Sequence, residues 1–303
     1  MFLLSLLSIS INVMLPIALV AAAGYVLFRA LHLDARPLSQ ATLYFFSPVL
    51  VFVSTYEAKL SAEHLSIALF GVIITVITGI ITWATVKMAR FDRVTGAGFS
   101  LGTMMVNSGN YGLPLILFAF GRTGLAYATF YFSVTMLILQ TTAIFIAARG
   151  RAHTRDALLS VVKMPVLYAV LAGILCNQTG IAVSEPLWKA LSVASGAAIP
   201  VMLVVLGIQL SRVDIRKNRS AIGVATLIRL VLTPIICFPL AFILGLEGVP
   251  RAVCIVEASM PTAVFASIIA VEFDVRPDLV TGIISASTFM SIITLTVLLR
   301  ILT

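Results

Sequence analysis

Ten apolar stretches, each long enough to cross a lipid bilayer, follow one another through this 303-residue chain with short polar links between them. They cover about residues 8–30, 37–57, 65–89, 96–120, 124–148, 157–178, 186–211, 219–244, 249–271 and 277–301. A helix needs about 20 residues to cross the ~30 Å hydrocarbon layer, so the stretches use nearly the whole length and leave no room for a separate soluble domain. Within lipid each backbone N–H and C=O must find its partner inside the protein, which makes segments of this length helices. Composition agrees, with 60% hydrophobic and 11% charged residues against roughly 25% charged in average soluble domains. The expected fold class is an all-α membrane protein of ten transmembrane helices, with the lipid bilayer as its partner. Met1–Val20 is as hydrophobic as a signal peptide, but it lacks a basic leading region and its apolar run continues past Ala23. It is read as part of span 1.

The formal net charge of +8 would suggest nucleic acid in a soluble protein, but here the basic residues sit in links. No nucleic-acid partner is expected. Links after spans 1, 3, 5, 7 and 9 hold Arg29 and Arg36; Lys87, Arg90 and Arg93; Arg149, Arg151, Arg155 and Lys163; Arg212, Arg216, Lys217 and Arg219; and Arg276, which is 14 of the 20 Lys and Arg. The other side holds Lys59, Arg122, Lys189, Arg251 and Arg300, and Arg229 lies inside a span. The positive-inside rule puts the richer side in the cytoplasm and both termini outside.

The two halves share landmarks. Pro16 and Gly24 match Pro165 and Gly173 at a separation of 149 residues, Pro48 matches Pro200, Gly71 matches Gly223, and Pro114 matches Pro261. The repeats are then residues 1–150 and 151–303. Because each half holds five spans, an odd number, the second copy is inverted in the membrane. Inverted repeats with interrupted helices are a transporter pattern whose site lies near the midplane.

The interruption is Asn107-Ser-Gly-Asn-Tyr-Gly-Leu-Pro-Leu115, a polar run with glycines and a proline in the middle of span 4. Non-helical backbone at that depth is tolerated only where protein buries it or a watery cavity solvates it. Pro114 and Pro261 each suit the first turn of a new half-helix. Two half-helices would then point their positive N-terminal ends at one central layer, an arrangement that favours an anion. The plainer alternative is a pair of proline kinks. Asn107 and Asn110, one turn apart, offer amide donors beside Gly109 and Gly112, with Ser108 and Tyr111 as further candidates. A separation of 147 residues would set Asn107 and Asn110 opposite Cys254 and Glu257. Glu257 and Arg229 are the ionisable residues well inside spans, and buried charges usually pair or line a pathway. They form either a structural ion pair, or a site in which Arg229 attracts a carboxylate while Glu257 binds and releases a proton. Gly98 and Gly102 allow close helix packing, and Trp83 and Trp188 read as residues of the interfacial belt.

Other chemistries find no support. Cys176, Cys237 and Cys254 lie in apolar segments without metal or disulfide spacing, and His32, His64 and His153 lie at or near links. No cofactor or metal is expected. An intramembrane enzyme would need a nucleophile with a base or two acids at one depth, and a single buried acid also opposes cation–proton antiport.

NSGNYGLPL at 107–115, Arg229 followed by Pro234 in RLVLTP, MPTAV at 260–264 and EFDVRPDL at 272–279 together resemble the auxin efflux carrier family. The resemblance covers essentially the whole chain, and its short 149–156 link resembles the bacterial members described as malonate or malate transporters. It implies a fold related to the bile acid–sodium symporters, with crossing, broken helices 4 and 9. Helices 1, 2, 6 and 7 would form a scaffold and homodimer contact, and helices 3–5 and 8–10 a moving transport unit. It further implies a secondary transporter of small mono- or dicarboxylates in the bacterial inner membrane, working by alternating access, with proton or sodium coupling. A ligand-sensing module that does not translocate is the rival from another class. The resemblance carries over Asn107 as a carboxylate contact and Pro114 and Pro261 as the crossover; the remaining candidates are Ser108, Asn110, Tyr111, Arg229 and Thr262 for substrate, Glu257 for coupling, and Gly109 and Gly112 for the break. Glu257 stands where the family pattern leads one to expect a neutral residue.

Overall fold

Four prolines shape the helices in the same way. The computed structural model describes residues 9–32, 35–58, 62–147, 162–210 and 218–303. Just before Pro16, Pro48, Pro114 and Pro234 the helix widens by one residue. Leu15, Ser47, Leu113 and Thr233 donate their N–H to the carbonyls five residues back, those of Ser10, Thr42, Ser108 and Ile228. Proline lacks an N–H and crowds the preceding turn, and a single wide turn absorbs the mismatch without ending the helix. Pro165 avoids the problem by opening its helix.

The helices are α1 (Ser10–Leu31), α2 (Arg36–Glu57), α3 (Ala62–Met88), α4 (Arg93–Met104), α5 (Ser108–Ala147), α6 (Pro165–Thr179), α7 (Glu185–Leu210), α8 (Arg219–Ile243), α9 (Gly248–Ala258), α10 (Phe265–Glu272) and α11 (Pro277–Leu302). Among the described residues seven are long and apolar enough to cross a membrane, and α6 is a shorter apolar helix. α4, α9 and α10 fall short because each is one arm of an interrupted segment. The 40-residue α5 is not one rod. Gly121, at φ 65° and ψ −160°, turns the chain back, so that a Cβ on Gly124 would lie 3.1 Å from the Ile116 side chain. The sequence placed a link there, between spans 4 and 5. Lys59, Arg149, Arg151, His153, Arg155, Arg212, Arg216, Lys217, the 149–156 link and the expected start of span 6 at 157 lie outside the described residues.

Small residues set the packing. α1 lies against α7 so closely that a Cβ on Gly24 would strike the Val204 carbonyl oxygen, and one on Gly207 that of Ala21. α2 packs on α6 where Gly173 faces Thr55 and the Phe52 carbonyl. Gly98 and Gly102 of α4 press on Val275 and Ile283, which gives the expected glycine-mediated contact a partner in α11. Outward faces are apolar, as at Leu19, Val26, Trp83, Phe242 and Ile293. Trp83 lies under the Lys87 ammonium, and Trp188 packs on Tyr56. Buried threonines and serines such as Thr82, Thr103, Thr129 and Ser133 return their hydroxyl hydrogens to the carbonyl four residues back, which lets them sit in apolar surroundings.

Side-chain bonds tie the links into two groups. Asn218 donates to Asp278, Arg276 pairs with Asp278 and donates to Thr95, and Thr95 donates to Asp92. Asn177 donates to the carbonyls of Tyr56 and Ala58, Val183 to the Tyr56 hydroxyl, and Tyr127 to Glu63. The first group joins residues 92–95, 218 and 276–278, and the second joins residues 56–63, 127 and 177–183.

Two predictions follow from this packing. Gly207→Val forces α1 from α7, and the variant purified in detergent should lose its single gel-filtration peak or melt well below wild type; an unchanged melt would refute the contact. Asp92 caps α4, accepting from Val94 and Thr95, and the Thr95 hydroxyl bond is the leading reason its carboxyl is held below the usual range. A depressed folded-state value means the stabilisation is complete at neutral pH and fades as pH falls below about 4. The melting-temperature gap between wild type and Asp92→Asn should close over that range.

Candidate functional site

Two helices stop in mid-protein, and their loose ends are joined to each other. α4 ends at Met104 and α9 at Ala258, after which the chain is extended through Met105–Asn107 and Pro261–Ala263. The two segments run antiparallel about Val106 and Thr262. Asn107 N–H donates to the Pro261 carbonyl at 2.8 Å, and Ala263 N–H donates to that of Met105 at 2.7 Å. Pro261 contributes only its carbonyl here, so its missing N–H leaves nothing unsatisfied. α5 restarts at Ser108 and α10 at Phe265, so neither Pro114 nor Pro261 opens a half-helix as the sequence suggested. Val106 opposite Thr262 also fixes the separation of the breaks at 156 residues, in place of 147. At that separation Asn107 and Asn110 would correspond to Ala263 and Ala266 rather than Cys254 and Glu257, and Pro114 would not correspond to Pro261.

Arg229 closes the ends that remain. It sits in the wide turn before Pro234, buried at 3% exposure. Its Nη2 donates to the carbonyls of Ala258 at 2.6 Å and Met260 at 3.1 Å, its Nε to Met260 at 3.3 Å, and its Nη1 reaches that of Thr103 at 3.5 Å. The guanidinium lies where the negative ends of α4 and α9 meet, a favourable place for a cation. Thr262 completes the closure, donating its hydroxyl to Gly102 at 2.6 Å while its N–H donates to Ser287. The ion pair considered for Arg229 and Glu257 is absent. Both carboxylate oxygens of Glu257 are buried without a hydrogen-bond partner among the described residues. The carboxyl fits against Gly112, where a Cβ would lie 2.8 Å from Oε1 and would overlap Oε2.

The two helix N-termini, by contrast, open on a cavity of about 340 Å³. Asn107, Ser108, Gly109 and Asn110 line it from the start of α5, and Val264 and Phe265 from the start of α10. Gln140 of α5, Gln209 of α7, and Ser39 and Ser47 of α2 add neutral polar groups, and Phe132, Met136 and Leu139 an apolar wall. Arg36 and Glu272 are its charged residues among those described. Asn107 Nδ2 and Gln209 Oε1 are buried here without a hydrogen-bond partner, which leaves a donor and an acceptor for a guest.

Of the sequence candidates, Asn107, Ser108, Gly109 and Asn110 meet on this cavity. Tyr111, Gly112, Pro114, Arg229, Glu257, Pro261 and Thr262 lie off it, with Tyr111 bonded to Ser291 instead. Sequence reasoning missed Gln140 and Gln209. Their signal was an uncharged amide within an apolar span, the same signal that singled out Asn107.

The chain matches the family described as membrane transport protein over residues 9–299. It belongs to that family. The motifs that resembled the auxin efflux carriers are thereby placed in their family, and the family and its transporter-named relatives point to a multi-pass membrane protein with a transport role. The transporter is 29% identical to an uncharacterized transporter of Methanothermobacter thermautotrophicus, over 94% of this chain and 96% of the relative. It is 23% identical to an uncharacterized transporter of Methanocaldococcus jannaschii, over 94% and 96%.

Substituting Arg229 with Gln should strand the carbonyls of Ala258 and Met260. Bonds from a charged donor contribute about 1.5–3 kcal/mol each, so the transporter should melt far below wild type, with Arg229→Lys intermediate. Cys237 and Cys254 are buried, so a thiol-reactive fluorophore reports the transition. A wild-type melt for Arg229→Gln would show that the clamp contributes nothing.

Proposed function

We propose that this transporter carries small organic anions with one carboxylate and an apolar body, by alternating access. The observation that carries the reading is the cavity shared by the N-termini of α5 and α10, with Asn107 Nδ2 buried and unpartnered on its wall. Helix N-termini bind carboxylates through free N–H groups and their positive ends. Around Asn107 the described lining is neutral, and Arg36 is accompanied on the cavity wall by the acidic Glu272. Phe132, Met136 and Phe265 suit an apolar body, which favours monocarboxylates over dicarboxylates within the class read from the sequence. Asn107, Ser108 and Asn110 are the substrate contacts we assign, with Gln140 and Gln209 added, and Tyr111, Arg229 and Thr262 hold the break.

The helices fit ten spans in two inverted repeats, 1–150 and 151–303, once α4 and α5, and α9 and α10, are taken as interrupted segments with α5 folded at Gly121. The reciprocal bonds about Val106 and Thr262 are what a two-fold axis in the membrane plane would leave. We assign α1, α2, α6 and α7 to the scaffold and the rest to the transport unit. The cavity has walls from both, Ser39, Ser47 and Gln209 on one side and α5 and α10 on the other, so sliding one past the other would carry a guest. Arg36 and Glu272 mark the open end, which the positive-inside rule makes cytoplasmic, with both termini outside the cell membrane. Exposed apolar faces of α1 and α6 suit a homodimer contact.

Proteoliposome uptake tests this reading. Radiolabelled benzoate should exchange across the membrane faster than malonate. Asn107→Ala should lower benzoate flux about tenfold or more, the loss of one bond to a charged group. Unchanged flux in Asn107→Ala, or malonate as the better substrate, would refute the assignment.

A further inference from the structure

We propose that Glu257 is the proton-binding site of this transporter, exchanging its proton in the conformation that opens the other side of the break. The inference deepens the transport reading and rests on it for the word transporter.

Glu257 is fully buried, and neither carboxylate oxygen accepts a hydrogen bond from a described residue. An ionised carboxylate in that state has lost its water and gained nothing, a position proteins avoid by pairing or neutralising the group. Charge pairing is not on offer. Arg229 gives its donors to the carbonyls of Thr103, Ala258 and Met260. Tyr131 of α5, Cys237 of α8 and Cys254 of α9 are the other titratable groups that face this region, and none brings a positive charge. The buried faces of α11 and of the central part of α3 carry no ionisable side chain, and His64 lies at the far end of α3 between Tyr127 and Phe130. A hard metal cation wants about six oxygen ligands, and no cluster of three His, Cys, Asp or Glu exists among the described residues. A proton needs one oxygen. Binding converts carboxylate to carboxylic acid, and release returns it, with no other reactant.

Position links this group to the substrate. The wide turn Ser108–Gly112 shows Ser108, Gly109 and Asn110 to the cavity and Gly112 to the Glu257 carboxyl. One turn of backbone therefore touches both guests. The notch exists because residue 112 has no Cβ. α9 carries Glu257 near its C-terminal end, and Glu257 is not among the residues that line the cavity. The carboxyl is thus shut off from the open cavity, as alternating access requires of a group loaded from the opposite face.

The test needs no substrate, so its failure is distinct from failure of the transport reading. The purified protein in lipid nanodiscs is treated with dicyclohexylcarbodiimide, which attacks protonated carboxyls in apolar sites, and the modified residue is located by mass spectrometry. Glu257 should be labelled at neutral pH and several-fold less at alkaline pH, equally in sodium and potassium buffers. Protection by sodium would assign the site to a metal cation and overturn the proposal. So would labelling independent of pH, or no labelling of Glu257 at any pH. In proteoliposomes that take up benzoate, Glu257→Gln should abolish accumulation driven by an imposed proton gradient. Accumulation equal to wild type would overturn coupling through this residue.

Discussion

A helix cannot simply stop inside a bilayer, because its last four carbonyls would face hydrocarbon with no partner. This protein stops two helices in the same place and solves both ends with one side chain. Arg229 reaches carbonyls at the ends of α4 and α9 together. Guanidinium is suited to this, since it offers five donors in a rigid plane and stays charged. Lysine would offer a point charge. Desolvating a cation is expensive, and here the negative ends of two helices compensate it in place of a carboxylate. Without that clamp the antiparallel pair at Val106 and Thr262 would have to hold the break with two hydrogen bonds.

The clamp divides the labour between helix ends. Carbonyl ends of α4 and α9 are satisfied by protein, through Arg229 and Thr262. Amide ends of α5 and α10 are left beside a cavity, where a guest or water can meet them. A break built this way has a permanent polarity, closed to cations by its own arginine and open to acceptors. The glycines support this at two points only. Gly112 makes room for the Glu257 carboxyl, and Gly121 takes a positive φ to send α5 back across the protein.

Much of this was legible before any coordinates. Segment length marked the long apolar helices, because lipid thickness acts on sequence directly. Asn107, Ser108 and Asn110 stood out as polar groups where lipid should be, and they line the cavity. Register did not come through. Proline reads as a helix start, yet Pro261 lies in the extended pair and Pro114 follows a wide turn, so matching prolines gave a separation of 147 residues where the bridged breaks lie 156 apart. The carbonyl partners of Arg229 went unseen for a related reason. A buried cation in a sequence suggests an anionic partner, and carbonyls freed by a broken helix leave no trace in residue types. Gln140 and Gln209 were readable by the rule that found Asn107, and were passed over because no glycine or proline flanked them.

Holding Arg229 on the backbone bears on the transport cycle proposed above. A substrate carboxylate bound by a free guanidinium would be held by a strong, bidentate pair, and release would require breaking it. Helix ends and amides offer weaker, neutral contacts, and a carrier must let go as readily as it binds. The single buried acid then gains meaning from what surrounds it. With the arginine committed elsewhere, Glu257 has no counter-charge among the described residues. The turn from Ser108 to Gly112 touches both the cavity and that carboxyl, so the proposed substrate site and the proposed proton site share one piece of backbone.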